Sequence, residues 1–557
     1  LHQSAKFTPF GDKGLRVELG NAINPEINAK VHALHEAISK AQILGVYECV
    51  PAYRSLTVAY DPEKVGYDDL VSEIKNLEAT SKARASERKT RRIVIPVVYG
   101  GDFGPDLIQV AQYHNLKENQ VVEIHSGNEY LVYMIGFIAG FPYLGKLPDE
   151  IATPRLETPR LRIPQGSVGI AEDQTGIYPK QAPGGWQIIG RTPVKLFDPL
   201  WQPPALLQPG DYVKFKPISS REFWQIEASE KESDTLTHER GSSMKLFRIV
   251  KPGFFTTIQD LGRFGFLKFG VPRSGAMDEF SLRVANMLVK NYHGDACLEM
   301  TLLGPELEAV HDTQIAVAGD ISLQINGHDA PMWHTLTVKN GDIVLFGKVR
   351  TGCRAYLAVR GGIDVPVVLG SRSTYSRGEI GGMQGRQLRA EGYIEGIATG
   401  HPIERNLSLP EEFIPDFSVR TDVDVLLGPQ QESFTQEGIE TFLSSSYNVT
   451  IESDRMGFRL EGPTIQQCEQ VDTISDAILP GSIQVPANGR PIVTMLDAQT
   501  TGGYPKIATV VSPDMHALGQ AKPSDTISFH ETTLVQAHRR LLEDRRRYRI
   551  IESKLLR

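Results

Sequence analysis

The sequence predicts a mainly β protein with α+β parts: several β-barrels behind a small N-terminal α+β domain. Three observations carry that expectation. From Arg92 onward the chain breaks into short strands punctuated by single glycines and prolines, the pattern of a barrel or sandwich. Before that point, strand and helix patterns alternate. Finally, EDQTGIYPK (172–180) returns as DAQTTGGYPK (497–506), and no helical or strand periodicity demands Gln-Thr before a glycine and Tyr-Pro-Lys after it. Such recurrence points to an internal duplication.

In order along the chain, LRVEL (15–19) alternates as a strand, and Asn24 to Lys40 has helical spacing through Ile27, Val31, Leu34 and Ile38. SLTVAY (55–60) reads as a second strand and Tyr67 to Leu77 as a second helix, giving a domain over residues 1–85. SKARASERKTRR (81–92) lacks large apolar residues and reads as an exposed connector into a barrel over 92–227. A polar stretch at 228–243, ASEKESDTLTHERGSS, is expected to be a linker. Met244-Lys-Leu-Phe-Arg-Ile-Val then looks like the start of an independent polypeptide, so the chain reads as a fusion of two proteins.

Four landmarks recur in one order. Gly104-Pro105, Gly136-Phe137, the Gln174/Tyr178 string and PGDYVKF (209–215) are answered by Gly428-Pro429, Gly457-Phe458, the Gln499/Tyr504 string and PSDTISF (523–529). LLGP (302–305) and NGDIVLFG (340–347) suggest a further barrel between them, which divides the second half into barrel domains over 244–415 and 416–535 and a terminal helix over 536–557.

With 557 residues the chain should form several domains. Its net charge of −8 argues against non-specific attraction to nucleic acid or to anionic membrane. The basic tail from His538 reads as a solvated helix. Four scattered cysteines with no CxxC spacing suggest neither a zinc knuckle nor a disulfide framework, and no metal site is expected. No apolar run is long enough for a membrane span, and the start lacks the order of a signal peptide, so the expected location is the cytoplasm.

Chemistry is expected where turn formers and polar donors concentrate, because glycine lets backbone N–H groups approach an anion and proline fixes a loop. GFIAGFPYLGKLP (136–148), PRLETPRLRIPQGSVGI (154–170) and APGGWQIIGRTP (182–193) surround the first copy of the string and bring in Arg191. Within the repeats, Asp173 is a candidate base, Lys180 and Lys506 are compact cations for an anionic oxygen, and Gln174 and Gln499 offer amides. Tyr178 and Tyr504 present hydroxyls that could equally be packed barrel residues. His125 is a candidate general base or a structural histidine. In the second half, Gln259, Asp260 and Arg263 form a compact polar group. Asp278 is either an N-cap or, with Arg263, part of a small-molecule site. There is no Walker A, GxGxxG, HExxH or GxSxG string and no Ala-Met-Lys-Met biotin attachment site.

GFPYLGKLP, IPQGSVGIAEDQTGIYPKQAPGGWQIIGRTP and LFDP resemble allophanate hydrolase subunit 1, the Kip inhibitor family, also assigned as the B-type subunit of 5-oxoprolinase. TIQDLGRFGF, GVPRSGAMD, LEMTLLGP, YLAVRGGI, SDRMGFRLEGP, GSIQVPANGRPIV and DAQTTGGYPK resemble allophanate hydrolase subunit 2, the Kip antagonist family or the C-type subunit of 5-oxoprolinase. The resemblance covers nearly the whole chain and implies cyclophilin-like β-barrels. It implies an ATP-dependent lactam hydrolase component that uses ATP with Mg, works with a separate A-type subunit on a small lactam or amide, and carries no covalent biotin. A homo-oligomer is compatible with it. The same pair resembles the carboxyltransferase part of urea carboxylase, which implies biotin-dependent carboxyl transfer as an alternative. A regulator that inhibits a histidine kinase is a third.

Overall fold

The computed structural model describes residues 5–81, 90–233, 243–397, 406–417, 420–468 and 474–555. In the N-terminal domain, the strands Lys6–Pro9, Gly14–Glu18, Val46–Pro51 and Ser55–Tyr60 make one antiparallel sheet in the order first, second, fourth, third. The helices Pro25–Ala41 and Tyr67–Ser81 cover one face of it, burying Val31, Leu34, Ile38, Leu70 and Ile74 against Leu15, Val17, Leu56 and Val58. Pro25 pre-sets the first helical turn, and the Asn24 side chain accepts from the Glu26 N–H at 2.7 Å.

Two closed seven-stranded barrels follow the predicted duplication strand for strand. Each pairs its first strand in parallel with its last, Arg92–Tyr99 with Tyr212–Pro217 and Arg420–Leu427 with Thr526–Glu531. Each carries an outlying two-stranded ribbon, Arg160–Ile163 with Ala182–Gly184 and Asp476–Ala477 with Thr501–Gly502.

The string that revealed the duplication does not superpose on itself. The N–H groups of Gly166 and Gly481 bond to the carbonyls of Tyr178 and Thr494, so Tyr178 corresponds to Thr494. Gly190 pairs with Tyr99 as Ala508 pairs with Leu427, which places Trp186, not Tyr178, opposite Tyr504. The first copy lies on the strand Gln174–Ile177 and the turn after it. The second runs from the end of the equivalent strand Ile492–Thr494 into Lys506–Val510. Lys180 and Lys506 are therefore not counterparts.

The barrel expected over 244–415 is half a barrel. Nine strands form an open sheet around the long strands Thr313–Ile325 and Ile343–Val359, whose pairing slips at several points. Helices cover one face of this open sheet. Phe280, Leu282 and Ala285 of the helix Glu279–Leu288 pack on Ala316, Ala318 and Tyr356, joined by Ile551 and Leu555 of the terminal helix Leu534–Leu555. The stretch expected as a linker starts as helix, since Ser220–Ser233 is helical; residues 234–242 lie outside the described residues.

The two halves meet through buried charge. Arg16 Nε lies 2.6 Å from Asp476, and the Ser55 hydroxyl donates to the same carboxylate at 2.7 Å. Burial works against ionisation of Asp476, but Arg16, Lys506 and Ser55 outweigh it and hold the carboxyl well below its usual range. Asp12 accepts from the Ser512 N–H and hydroxyl at 3.1 and 2.9 Å. Phe137 N–H donates to Thr501 Oγ1 at 2.9 Å, an approach that needs Gly136, because a Cβ there would stand 2.1 Å from the same oxygen. Cutting the chain between Ser233 and Met244 should therefore leave the halves co-eluting in gel filtration at micromolar concentration. Asp476→Ala leaves Arg16 only its pairing to Glu18 within the first half and removes the Ser55 acceptor, so it should cost on the order of 2 kcal/mol, loosening the cut complex; halves that separate without that change contradict a charge-locked junction.

Candidate active site at the junction

A cavity of about 720 Å³ lies where the N-terminal domain, the half-barrel, the second barrel and the terminal helix converge. The turn Phe10–Lys13, with Tyr47 and Glu48, forms one wall. Arg263, Arg273, Glu279 and Arg283 form the opposite wall, and Met515, His516, Asp544 and Tyr548 close it.

Two turns of the second half build that opposite wall back to back. Arg263 N–H donates to Arg273 O at 2.8 Å and Ala276 N–H to Asp260 O at 2.9 Å. Gly262 has φ +88°, and a Cβ there would lie 2.7 Å from the Arg273 and Ser274 carbonyls, so the approach requires glycine. Arg455 then fixes the second turn. Its guanidinium reaches Glu299 at 2.5 Å, Asp497 at 2.9 Å and the Gly275 carbonyl at 2.7 Å. Glu299 in turn accepts from Met277 N–H at 2.9 Å and the Tyr356 hydroxyl at 2.7 Å. Asp278 caps the helix that presents Glu279 and Arg283, accepting from Ser281 N–H at 3.0 Å and from Gln520 Nε2 at 2.6 Å.

The lining is rich in shifted acids and bases. Burial lowers the Lys13 ammonium, with Asp12 and Glu279 opposing and Arg273 and Arg545 reinforcing. Burial also disfavours ionised Glu279, but Arg273, Arg283 and Lys13 prevail and hold its carboxyl at about 2. Glu48 is pushed up to about 7 by burial, although its carboxylate accepts from the Gly265 and Leu267 N–H groups at 2.7 and 3.1 Å. Burial raises Asp544 as well, against His516, Arg547 and Lys13. Arg263 is 1% exposed; its Nη2 donates to Ser373 O, while Nε and Nη1 have no hydrogen-bond partner among the described residues.

Of the residues singled out in the sequence, the structure brings Arg263 to this cavity. Asp278 is its scaffold, as the cap reading has it. The others serve elsewhere. His125 sits in the helix Glu118–Gly127, fully buried and stacked on Phe215 at 4.6 Å, with Tyr99 Oη at 2.8 Å and Thr175 Oγ1 at 3.0 Å. Burial holds its pKa at about 3, and both ring nitrogens already have partners, so it sits as a neutral, packed core residue. Lys180 ties the halves together, donating to Gly378 O at 2.5 Å and to Glu379 at 2.8 Å. Arg191 donates to Gln165 O at 2.7 Å and lies over the Phe223 ring, so it braces the first barrel.

Gln174 accepts from the Tyr53 hydroxyl at 2.9 Å, and Asp173 bears on Tyr53 and Tyr133, helping to raise both. Tyr178 is a packed aromatic residue against Phe141, raised by burial. Gln499 packs over Gly502, and Tyr504 is partly exposed. Lys506 is buried, lowered by desolvation to about 8, with Asp476 opposing and Arg16 adding to the shift. Asp497, its string partner, is spent on Arg455. Sequence reasoning missed Lys13, Glu48, Glu279 and Asp544, which come from separate elements and share no motif.

Among the described residues no cluster of three or more His, Cys, Asp or Glu could hold a metal, and no helix is long and apolar enough to cross a membrane.

Comparison with known proteins places this architecture. Residues 5–207 match the carboxyltransferase domain, subdomain C and D, and residues 269–531 match the carboxyltransferase domain, subdomain A and B. The chain belongs to the family that comprises the B-type and C-type subunits of 5-oxoprolinase, with a B-type part followed by a C-type part. Over 38% of its length it is 46% identical to the B-type subunit of 5-oxoprolinase from Bacillus subtilis (strain 168), covering 93% of that protein. Over 54% it is 35% identical to the C-type subunit of 5-oxoprolinase from Escherichia coli (strain K12), covering 96% of it. The crystal structure of TTHA0988 superposes with a TM-score of 0.80 at 32% identity, covering 94% of this chain and all of that one.

The raised Glu48 gives a pH test. A carboxyl near 7 in the folded state binds a proton that an unfolded glutamate, near 4.5, has released, so its contribution to stability falls as pH rises from about 4.5 to about 7. The loss is on the order of 3 kcal/mol. The melting temperature should drop over this window and drop less in Glu48→Gln. Parallel pH profiles for the two proteins would show that Glu48 ionises normally.

Proposed function

We propose that this chain is the fused B-type and C-type component of a 5-oxoprolinase, opening the lactam of 5-oxoproline to glutamate with ATP hydrolysis, together with a separate A-type subunit. The observation that carries the reading is that the cavity is walled by both halves, which correspond to separate subunits in the relatives. A site completed only when the two halves meet is what a shared catalytic component requires.

The lining suits a small, singly charged amide. Glu48, near 7, is a group able to give or take a proton around neutral pH, and burial destabilises the Lys13 ammonium in the same wall. The lining does not suit a triphosphate. Arg273 and Arg283 are committed to Glu279 and Arg545 to Asp61, while Asp12 and Glu552 add negative charge. The nucleotide and its Mg are therefore assigned to the A-type partner.

The descriptions of the matching family models favour a second reading, carboxyl transfer from biotin to urea or another amide. The biotin would then be carried by another protein.

Purified chain, candidate A-type subunit, ATP and 5-oxoproline should give glutamate and ADP in step only when both proteins are present. Glutamate from this chain alone would remove the partner requirement. Biotin-dependent fixation of bicarbonate on urea, with no glutamate, would establish the second reading instead.

A further inference from the structure

Arg263 is the anomaly of the junction. A buried guanidinium is normally surrounded by acceptors, because leaving a charged donor unpaired in the interior is costly. Here the candidates are already taken. Asp260 accepts from the Ser371 and Ser373 hydroxyls at 2.7 and 2.5 Å and from the Arg372 and Gly262 N–H groups at 2.6 and 2.8 Å. Asp497 is held by Arg455. Both carboxylates act on Arg263 through space, yet its Nε and Nη1 donate to neither. In the adjoining turn the Ser274 hydroxyl is buried and likewise has no hydrogen-bond partner among the described residues.

The side chain lines the cavity, but Nε and Nη1 are shut off from solvent. The cover over the guanidinium is glycine-rich: a Cβ at Gly381 would lie 2.9 Å from Arg263 Nη2 and 2.1 Å from Ser373 O. Gly381, Gly382 and Gly385 all have positive φ, and the far end of this turn is tied to the first half by Lys180 at Gly378 and Glu379. A displacement of this turn that carries Ser373 O away from Nη2 would open the Nε–Nη2 edge of the guanidinium, the parallel pair of donors that matches a carboxylate.

We propose that Arg263 is the specificity residue of the cavity, receiving the carboxylate of the substrate when the 376–385 turn shifts, so that the site selects carboxylate-bearing ring amides over neutral ones. This rests on the lactam reading above and assigns what that reading leaves open, namely how the substrate's charge is recognised. Arg263 orients the substrate; proton transfer belongs to the opposite wall.

The test is equilibrium binding to the full chain of three probes: 5-oxoproline, 2-pyrrolidinone (the ring without a carboxylate) and cyclopentanecarboxylate (a carboxylate without the lactam). The wild type should bind both carboxylates and prefer 5-oxoproline to 2-pyrrolidinone at least tenfold, about 1.4 kcal/mol. Arg263→Gln should abolish that preference, and Arg263→Lys should restore part of it. Because Arg263→Gln could unfold the wall, hydrogen exchange of the wild type gives a second readout, and 5-oxoproline should change protection within 373–386. Carboxylate binding that is equal in wild type and both variants, or absent from the wild type at millimolar concentration, overturns the proposal. Arg263-dependent binding of cyclopentanecarboxylate with no advantage for 5-oxoproline would uphold the carboxylate site and sink the lactam reading.

Discussion

The geometry of the junction depends on one guanidinium. Arg455, in the second barrel, joins Glu299 of the half-barrel, Asp497 of its own barrel and the Gly275 carbonyl of the turn that walls the cavity. Removing the arginine would leave Asp497 buried without its ion-pair partner and Glu299 with Arg354 alone at 3.7 Å, a defect worth several kcal/mol. The network contributes less to net stability than to uniqueness. Ion pairs of this kind roughly break even against apolar packing, but they accept only one arrangement of the three pieces. Here that arrangement places Arg263 and Arg273 across the cavity from Lys13.

The same logic recurs between the halves. Arg16 with Asp476, Asp12 with Ser512 and Glu48 with the Gly265–Leu267 backbone are all directional, desolvated contacts. The N-terminal domain is thereby more than an appendage of the first barrel. It inserts its Phe10–Lys13 turn between the second barrel and the terminal helix, where His538 Nε2 meets Asp12 O at 2.8 Å. A chain that joins the halves covalently keeps them at high effective concentration, but the contacts themselves carry the specificity.

The fold was legible where its signals are local. Period-two and helical patterning revealed the N-terminal domain, and Gly/Pro punctuation with ordered landmarks revealed the two barrels. The half-barrel was not legible, because closure depends on which edge strands meet, a long-range fact. String matching pointed to the duplication but misassigned its register, since identical letters settled on different strands and made Lys180 and Lys506 look equivalent. That His125 and Lys506 lie buried, one stacked on Phe215 and the other beside Asp476, was not visible, because burial cannot be seen in a lone residue. Arg263 was found because it stands in a compact polar group with Gln259 and Asp260, and Asp278 because it precedes a helix it could cap. Lys13, Glu48 and Asp544 were not, because many distant segments build the cavity and none has a motif of its own.

Substrate is thus expected at the junction and not inside either barrel. A crystal structure of the full chain soaked with 5-oxoproline tests that most directly. The expected result is ligand density in the cavity, between the Phe10–Lys13 turn and the turn bearing Arg263. Ligand held within the first barrel beside Lys180 and Arg191, with the cavity left to solvent, would contradict it.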